Sequence, residues 1–320
     1  METRQNNEQV VLVTGGTGFA GSHLIPFLQK SGYTTIHATG FSGKKPLVAG
    51  FESVQLHTVD LTDGPAVQAL IQEVKPTQVY HLASFAFVGE SFARGEALLH
   101  NNIILQYTLL EALAQYAPEA RILTVGSAEV YGMSNENEIP ISEDHPFRPV
   151  NPYGVSKVSQ DLLAFAYAAS RKLQIVRVRP FNHIGARQTV DFAVPAFANQ
   201  IVQIERGQQT SMRVGNLSGI RDFTDVEDIV RGYVLLMERG IVGEVYNLGS
   251  GVGTRMSDLV DQLIALSQLP VTLEIDQTRI RPLDIPVIIA NNEKVSALGW
   301  QPTIPLETSL HTVLEYWRGL

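Results

Sequence analysis

Residues 10–21 read Val-Val-Leu-Val-Thr-Gly-Gly-Thr-Gly-Phe-Ala-Gly. The four leading apolar residues predict a short buried parallel strand, since both faces of such a strand lie inside the protein. A helical pattern of apolar residues follows the glycines, at Leu24, Ile25, Phe27 and Leu28. A strand, a glycine turn and a helix in this order are typical of a dinucleotide-binding loop, because glycines let the backbone approach a pyrophosphate at the helix N-terminus. The stretch therefore predicts a dinucleotide cofactor.

The second strand, expected around residues 35–39, bears on the choice of cofactor. Proteins that bind NAD usually place an acidic residue at its end, which binds the ribose 2′-hydroxyl. Here no Asp or Glu occurs between Gln9 and Phe51. Four nearby side chains have groups that suit a 2′-phosphate instead: Thr39, Ser42, Lys44 and Lys45. NADP (NADPH) is therefore the predicted cofactor, and NAD is the alternative.

Two more strands are expected in the first third of the chain. One spans residues 54–59 and ends at Asp60-Leu61. The other spans residues 78–83 and contains His81. Because this histidine lies in an apolar strand, we interpret it as structural rather than as a ligand, and no motif in the chain predicts a metal site.

A fifth strand, over residues 121–126, ends at Ser127. Ligands of open parallel sheets bind at the carboxyl ends of the strands, so Ser127 is placed to hydrogen-bond a substrate oxygen. Glu129 lies two residues further on, and in an extended chain its carboxylate would point to the same side.

A helix is expected to begin at Asn151-Pro152. Asparagine is a good N-cap because its side-chain oxygen accepts a free backbone N–H, and proline suits the first helical position. Tyr153 and Lys157 then lie four residues apart on one helix face. A positive charge beside a phenol favours the phenolate, so we expect the pKa of Tyr153 to be lowered and the phenol to act as a proton donor.

The composition limits the class of protein. The chain has 320 residues, no cysteine and a net charge of −8, which disfavours nucleic acid and anionic membranes as partners and removes disulfides and thiolate chemistry. A hydrophobic fraction of 44% and a charged fraction of 18% fit one large or two smaller globular domains. The N-terminus METRQNNEQV lacks the pattern of a signal peptide, so we expect a cytoplasmic enzyme.

Taken together, these motifs resemble the extended short-chain dehydrogenase/reductases that act on nucleotide sugars. The resemblance rests on Gly15-x-x-Gly18-x-x-Gly21, Asp60-Leu61, Ser127 and Tyr153-x-x-x-Lys157, and it covers nearly the whole chain. It implies an α/β fold, with a doubly wound parallel seven-stranded Rossmann sheet and a smaller C-terminal α+β substrate domain. It also implies that Ser127, Tyr153 and Lys157 are the catalytic residues.

The resemblance further implies which residues contact the cofactor: Gly15, Thr17, Gly18, Phe19, Ala20, Gly21, Asp60, Leu61, Leu82, Ala83, Ser84, Tyr153, Lys157 and His183. Residues 245–248 are expected to form a strand that returns to the main sheet. The cofactor domain is therefore predicted over residues 1–180 plus about 223–250, and the nucleotide-sugar domain over about 181–222 plus 251–320.

The later half of the chain is most similar to the branch that acts on GDP-linked 6-deoxy-4-keto sugars, through Phe181-Asn182-His183-Ile184-Gly185, Arg221-Asp222-Phe223 and Arg281-Pro282-Leu283-Asp284. The resemblance implies that Arg221 and Arg281 clamp the diphosphate, that Asn182 lies near the sugar, and that His183 lines the nicotinamide site. The chemistry agrees for the arginines, since a guanidinium binds phosphate well and an acidic protein needs local positive groups.

Three reactions stay open, because each exchanges hydride at the sugar C4. An NADPH-dependent C4 ketone reductase, giving GDP-D-rhamnose or its C4 epimer, is favoured. A GDP-mannose 4,6-dehydratase is the main alternative, with Glu129 as the base that removes the C5 proton. Ile184 and Phe223 depart from the usual dehydratase pattern of Glu and Trp. A nucleotide-sugar 4-epimerase and a non-catalytic NADP-binding scaffold are lesser alternatives.

The predicted helices over residues 98–114 and 161–169 are apolar on more than one face. Such helices need cover beyond their own sheet. The resemblance implies a homodimer in which they pair across a two-fold axis into a four-helix bundle, and packing inside a monomer is the alternative.

Overall fold

The computed structural model describes residues 9–40, 51, 53–86, 89, 91–280, 283 and 285–320. The strands within these ranges are β1 (Val10–Thr14), β2 (Thr35–Gly40), β3 (Gln55–Thr58), β4 (Gln78–His81), β5 (Arg121–Val125), β6 (Gln174–Pro180), β7 (Asn182–Ile184), β8 (Met212–Val214), β9 (Ile220–Asp225), β10 (Val245–Leu248), β11 (Gly253–Arg255), β12 (Leu273–Ile275) and β13 (Val287–Ile288). The α-helices are α1 (Phe19–Lys30), α2 (Gly64–Val74), α3 (Gly95–Tyr116), α4 (Pro152–Arg171), α5 (Ala193–Glu205), α6 (Val226–Arg239), α7 (Met256–Ala265), α8 (Glu293–Ser296) and α9 (Leu306–Arg318).

The main sheet has seven strands among the described residues, in the order β10-β6-β5-β4-β1-β2-β3. All its neighbouring strands are parallel. Strand order proceeds outward in both directions from β1 and β4, so the carboxyl ends of these two strands flank the switch point where ligands bind in doubly wound sheets. The predicted α/β Rossmann architecture is confirmed.

Two apolar cores cover the two faces of this sheet, which explains the unbroken apolar run of β1. Val11 and Val13 belong to the core beneath α1 and α6, whereas Leu12 belongs to the core beneath α2, α3 and α4. Successive side chains of a strand point to opposite faces, so a strand covered on both sides needs apolar residues at every position.

The chain after β6 builds a second, smaller group of elements. Its sheet has the order β11-β9-β13, with β7 also paired to β9, and β8 pairs with β12. Helices α5, α7 and α9 pack over this region around a separate core. As expected, β10 returns to the main sheet, where Val245 pairs with Arg177 of β6. Strand β9 runs across the domain boundary predicted at residues 222–223, and the domain limits stay a prediction.

A buried ion cluster joins α4 to β6. The Asp161 carboxylate, 1% exposed, accepts a hydrogen bond from Nη1 of Arg177 at 2.6 Å and one from Nε of Arg179 at 2.9 Å. Arg179 also donates to the hydroxyl of Tyr131 at 2.9 Å, and that hydroxyl donates to Oδ1 of Asn247 at 2.5 Å. The cluster therefore ties together α4, β6, β10 and the segment after β5.

Within the part of the chain that the structure describes, no helix combines the length and the apolar composition that a membrane crossing requires.

Replacing Asp161 with Ala leaves two buried guanidinium groups without their shared carboxylate. We expect the free energy of unfolding to fall by about 3–5 kcal/mol, the usual cost of an uncompensated buried charge. Chemical denaturation would measure it. The control is Glu244→Ala, which removes the half-exposed partner of Lys294 and should cost at most about 1 kcal/mol. Equal losses in the two variants would contradict the structural role of Asp161.

Candidate active site

The glycine loop connects β1 to α1 at the switch point, and at Gly15 and Gly21 it leaves no room for a side chain. Gly15 has φ +69°, and a Cβ there would lie 2.9 Å from the backbone of Ala83. A Cβ on Gly21 would lie 2.5 Å from the carbonyl oxygen of Gly16. Gly18 is the N-cap of α1 and brings no capping side chain. Because no side chains project at these glycines, a dinucleotide pyrophosphate can approach the backbone N–H groups at the helix N-terminus.

The segments around this loop support it. The hydroxyl of Thr39, at the end of β2, accepts a hydrogen bond from the Gly15 backbone N–H at 3.1 Å. Thr39 is 2% exposed, so it holds the loop in place and does not present a free hydroxyl to a 2′-phosphate. Ser42, Lys44 and Lys45, the other side chains proposed for that phosphate, lie outside the described residues.

The remaining positions assigned to the cofactor line the same edge of the sheet. Thr17 is buried against Gly40, where a Cβ would lie 2.9 Å from the Thr17 methyl group. Leu82 and Ala83 follow β4, and their backbone N–H groups donate to Thr14. Ser84 follows Ala83 after β4, and Phe19 and Ala20 are the first two residues of α1.

Asp60 and Leu61 follow β3 and differ in exposure. Leu61 is buried in the core beneath α2, whereas Asp60 is exposed. One oxygen of Asp60 accepts hydrogen bonds from the backbone N–H and the hydroxyl of Thr62, at 2.9 and 2.7 Å. The carboxylate is thus fixed by its own turn at the end of the strand.

His81 ends β4 beneath the loop. One ring nitrogen, Nδ1, lies 2.7 Å from the hydroxyl of Thr14. Burial, with a smaller contribution from the charge of Lys157, lowers the pKa of His81 to about 3. The ring is therefore neutral and buried in the sheet, in agreement with its interpretation as structural.

Ser127, Tyr153 and Lys157 lie together where β5 ends against the first turns of α4. Asn151 caps this helix, with its Oδ1 accepting from the Gly154 backbone N–H at 2.8 Å. The Nζ of Lys157 lies 5.9 Å from the centroid of the Tyr153 ring and donates to the carbonyl of Val125 at 3.1 Å. Ser127 lies near enough to the Tyr153 hydroxyl for its side chain to affect the pKa of the phenol.

Burial sets the charge states of this group. It raises the pKa of Tyr153 well above its usual value; the Ser127 side chain lowers that pKa and the charge of Glu129 raises it further. Burial also lowers the pKa of Lys157 to about 7. The lowered phenol pKa that the sequence predicted is therefore wrong for this state of the protein, because desolvation outweighs the attraction of the ammonium.

The turn that carries Glu129 also differs from expectation. Residues 128–130 form a 3-10 turn rather than an extended chain, since the Ser127 hydroxyl accepts a hydrogen bond from the Glu129 backbone N–H at 3.2 Å. Glu129 still lies beside Tyr153, because Nδ2 of Asn151 donates to its carboxylate at 3.0 Å. Sequence reasoning missed this contact, which joins residues 22 positions apart.

His183 and Asn182 lie at the start of the second group of elements. The ring of His183 stacks on Phe19 at the start of α1, with centroids 5.8 Å apart and planes 6° apart. Its Nδ1–H donates to the carbonyl of Phe181 at 3.1 Å, and burial lowers its pKa. The neutral ring therefore borders the glycine-loop helix, while Asn182 is exposed beside it.

Of the two arginines assigned to a diphosphate, Arg281 lies outside the described residues. Arg221 lies on β9, and its Nη1 donates to the carbonyl of Ile220 at 3.0 Å. Its neighbour Asp222 was overlooked by sequence reasoning, although it lies in the same quoted motif. Asp222 is 1% exposed, and its carboxylate accepts hydrogen bonds from Ser250, Gly251 and Ala290.

Comparison with known proteins finds relatives that are similar to this chain over most of its length. A family model described as GDP-mannose 4,6 dehydratase matches residues 12–313. The GDP-6-deoxy-D-mannose reductase of Pseudomonas aeruginosa is 30% identical over 313 residues, which cover 97% of this chain and 98% of that protein. UDP-glucose 4-epimerase 2 of Arabidopsis thaliana is 30% identical over 319 residues, 91% of this chain and 90% of that protein. The solved structure of RMD from Pseudomonas aeruginosa complexed with NADPH matches with a TM-score of 0.84 and 29% identity, over 97% of this chain and 99% of that one.

The pKa of Lys157 gives a testable pH dependence. Below about pH 7 the lysine is protonated in both states, and the folded state bears the cost of a buried ammonium. Between about pH 7 and the pKa of the unfolded chain, only the unfolded state binds the proton. Stability should therefore rise with pH, by at most about 1.4 kcal/mol per pH unit.

Lys157→Met should remove this rise, measured as the free energy of unfolding from pH 7 to 9. The exposed Lys30, replaced with Met, is the control and should keep the wild-type slope. The same slope in the wild type and in Lys157→Met would contradict the lowered pKa.

Proposed function

The chain belongs to the GDP-mannose 4,6 dehydratase family of NAD(P)-dependent short-chain dehydrogenase/reductases, and we propose that it reduces the C4 ketone of a nucleotide-linked 6-deoxy-4-keto sugar with NADPH. The proposed substrate is GDP-4-keto-6-deoxy-D-mannose, and the product is GDP-D-rhamnose or its C4 epimer. The observation that carries the proposal is the buried Tyr153 beside the end of β5, with the Nζ of Lys157 5.9 Å from its ring centroid and a pKa that burial raises. A phenol that keeps its proton is an acid for the alkoxide that ketone reduction creates.

The side chains divide the reduction among them. NADPH, when bound, supplies the hydride to C4. Tyr153 donates its phenolic proton to the C4 oxygen, and the Ser127 hydroxyl hydrogen-bonds the charge that develops there. Lys157, when protonated, stabilises the phenolate that remains. The glycine loop would hold the pyrophosphate of the cofactor, and Lys157 its nicotinamide ribose.

Two observations support NADPH over NADH. No acidic residue occurs between Gln9 and Phe51, so nothing in that stretch repels a 2′-phosphate or binds a ribose 2′-hydroxyl as a carboxylate does. The solved RMD structure is itself a complex with NADPH. NAD is the alternative cofactor.

Arg221 supports a nucleotide-diphosphate sugar as the substrate, because a guanidinium binds phosphate oxygens in pairs. Its strand β9 pairs with the segment that begins at Asn182, and this pairing supports a role for Arg221 near the sugar. Arg281 is proposed as the second arginine of this clamp.

Glu129 favours a second candidate function, the 4,6-dehydration of GDP-mannose. This reaction needs a base for the C5 proton, and the Glu129 carboxylate lies next to Tyr153. Ile184 and Phe223 favour the reductase, because dehydratases usually have Glu and Trp at these two positions. A 4-epimerase is a lesser candidate. A non-catalytic scaffold is not proposed, since Ser127, Tyr153 and Lys157 are all intact.

One pair of incubations separates the candidates. With GDP-4-keto-6-deoxymannose and NADPH, we expect oxidation of NADPH and a GDP-deoxyhexose product, with NADH much less effective. Tyr153→Phe should lower kcat by about 10²–10⁴-fold, because the general acid is lost. Glu129→Gln should retain reduction within about tenfold. A keto sugar formed from GDP-mannose without added NADPH, and abolished by Glu129→Gln, would identify a dehydratase instead.

A homodimer through a four-helix bundle is also proposed. Helices α3 and α4 pack against each other and still expose large apolar side chains: Tyr107, Val155, Leu162 and Phe165, each 43–51% exposed. A second copy of the same helix pair would cover them. Such a surface is typical of an interface between subunits.

Sedimentation velocity tests the dimer. The wild type should sediment as a dimer at micromolar concentration, and Leu162→Glu as a folded monomer, because it places a charge in the proposed interface. The matched control is Leu269→Glu, since Leu269 is similarly exposed (47%) but follows α7. A wild-type monomer, or a dimer unaffected by Leu162→Glu, would exclude this interface.

A further inference from the structure

Asn151 makes two different hydrogen bonds with the two ends of one amide. Its Oδ1 accepts from the Gly154 backbone N–H at 2.8 Å, which is the N-cap bond of α4. Its Nδ2 donates to Oε2 of Glu129 at 3.0 Å. A helix cap needs only the oxygen, which Asp or Ser would supply about as well. The second bond is the one that requires asparagine, because Asp would face Glu129 with a like charge and Ser has a single short hydroxyl.

This amide joins the two segments that carry the proton-transfer residues. Glu129 lies in the turn that Ser127 caps, after β5, and Asn151 begins the helix that carries Tyr153. The segments pack without spare room, since a Cβ on Gly154 would lie 2.8 Å from the carbonyl oxygen of Glu129. This contact between the two segments therefore fixes the position of the Glu129 carboxylate relative to the Tyr153 phenol.

The carboxylate acts on the phenolic proton. After burial, the negative charge of Glu129 is a further cause that raises the pKa of Tyr153, since it disfavours a phenolate nearby. Other groups lie around the phenol: Ser127 affects its pKa, the Nζ of Lys157 lies 5.9 Å from its ring centroid, and Tyr233 of α6 is near enough for the charge of Tyr153 to raise its pKa. Within this set Glu129 supplies the negative charge, and it does so from a position that Asn151 fixes.

We propose that Asn151 is a positioning residue, which holds the Glu129 carboxylate in a fixed place beside Tyr153 during the proton transfer that accompanies hydride transfer. The inference rests on the proposed reduction, in which the phenolic proton goes to the C4 alkoxide oxygen. Asn151 forms and breaks no covalent bond in this step. Its amide fixes the direction of the carboxylate by a hydrogen bond, and the effect on the reaction passes through Glu129.

A double-mutant cycle distinguishes this role from simple helix capping. Asn151→Ser keeps a good cap but removes the donor to Glu129, and Glu129→Ala removes the carboxylate. We expect each single variant to change kcat for ketone reduction by about 3–10-fold and in the same direction, with less than a twofold change in the KM for NADPH. The double variant should change kcat no further than Glu129→Ala does, because residues that act as one unit are not additive.

The matched control is Asp63→Ser at the N-cap of α2, where the carboxylate accepts from the Ala66 backbone N–H. This variant makes the same kind of cap exchange on a helix that carries neither Tyr153 nor Lys157, and it should leave kcat unchanged. Asn151→Ser should have the thermal midpoint of the wild type within about 2 °C, since serine also caps. Changes that multiply in the double variant, or a silent Asn151→Ser, would overturn the proposal.

A second readout needs no substrate and separates this inference from the proposed function. In protein labelled with ¹³C at tyrosine Cζ, the Tyr153→Phe variant identifies the Tyr153 signal. Asn151→Ser and Glu129→Ala should move that signal at neutral pH, and the double variant should move it no further than Glu129→Ala. A wild type that does not reduce the ketone would refute the proposed function alone, whereas a signal insensitive to Asn151→Ser would refute the positioning role.

Discussion

The ion cluster around Asp161 is the interaction on which the geometry of the site depends. Asp161 lies one helical turn after Lys157 on α4, and its carboxylate is hydrogen-bonded to Arg177 and Arg179 of β6. Each of the two buried cations that share this carboxylate also donates to a backbone carbonyl. Arg179 donates to the carbonyl of Glu143, and Arg177 donates to the carbonyl of Gly243. Since β6 pairs with β5, the cluster fixes the phenol on α4 against the serine at the end of β5.

Burial at this place acts in opposite directions on acids and bases. It lowers the pKa of Lys157 to about 7 and that of His81 to about 3, and it raises the pKa of Tyr153. The lysine therefore loses its proton at a lower pH than an exposed lysine does, whereas the phenol holds its proton at neutral pH. A positive charge on Lys157 favours the phenolate form of Tyr153, whereas the negative charge of Glu129 disfavours it.

Sequence patterns predicted the parts of the fold that local physics determines. The apolar run of β1, the glycines after it and the cap at Asn151 all have local causes, and the structure contains a seven-stranded parallel sheet with α1 and α4 in the expected places. The direction of the Tyr153 pKa shift was predicted wrongly, because burial depth depends on packing that a motif does not reveal. The extended form of residues 127–129 was wrong because the Ser127 hydroxyl caps its own turn.

Contacts between distant segments escaped sequence reasoning for a different physical reason, and Asp222 illustrates it. Neighbouring residues on a strand point to opposite faces, so Arg221 and Asp222 serve different purposes although they are adjacent. The Asp222 carboxylate accepts hydrogen bonds from Ser250 and Gly251, which follow the last strand of the main sheet, and from Ala290, which follows β13. One buried carboxylate therefore connects the second sheet to the main sheet. A shift of β9 away from β10 would remove the donors that Ser250 and Gly251 supply to this buried carboxylate, which is strongly destabilising. The position of Arg221 is thus coupled to the sheet that carries Ser127, which we propose as a catalytic residue.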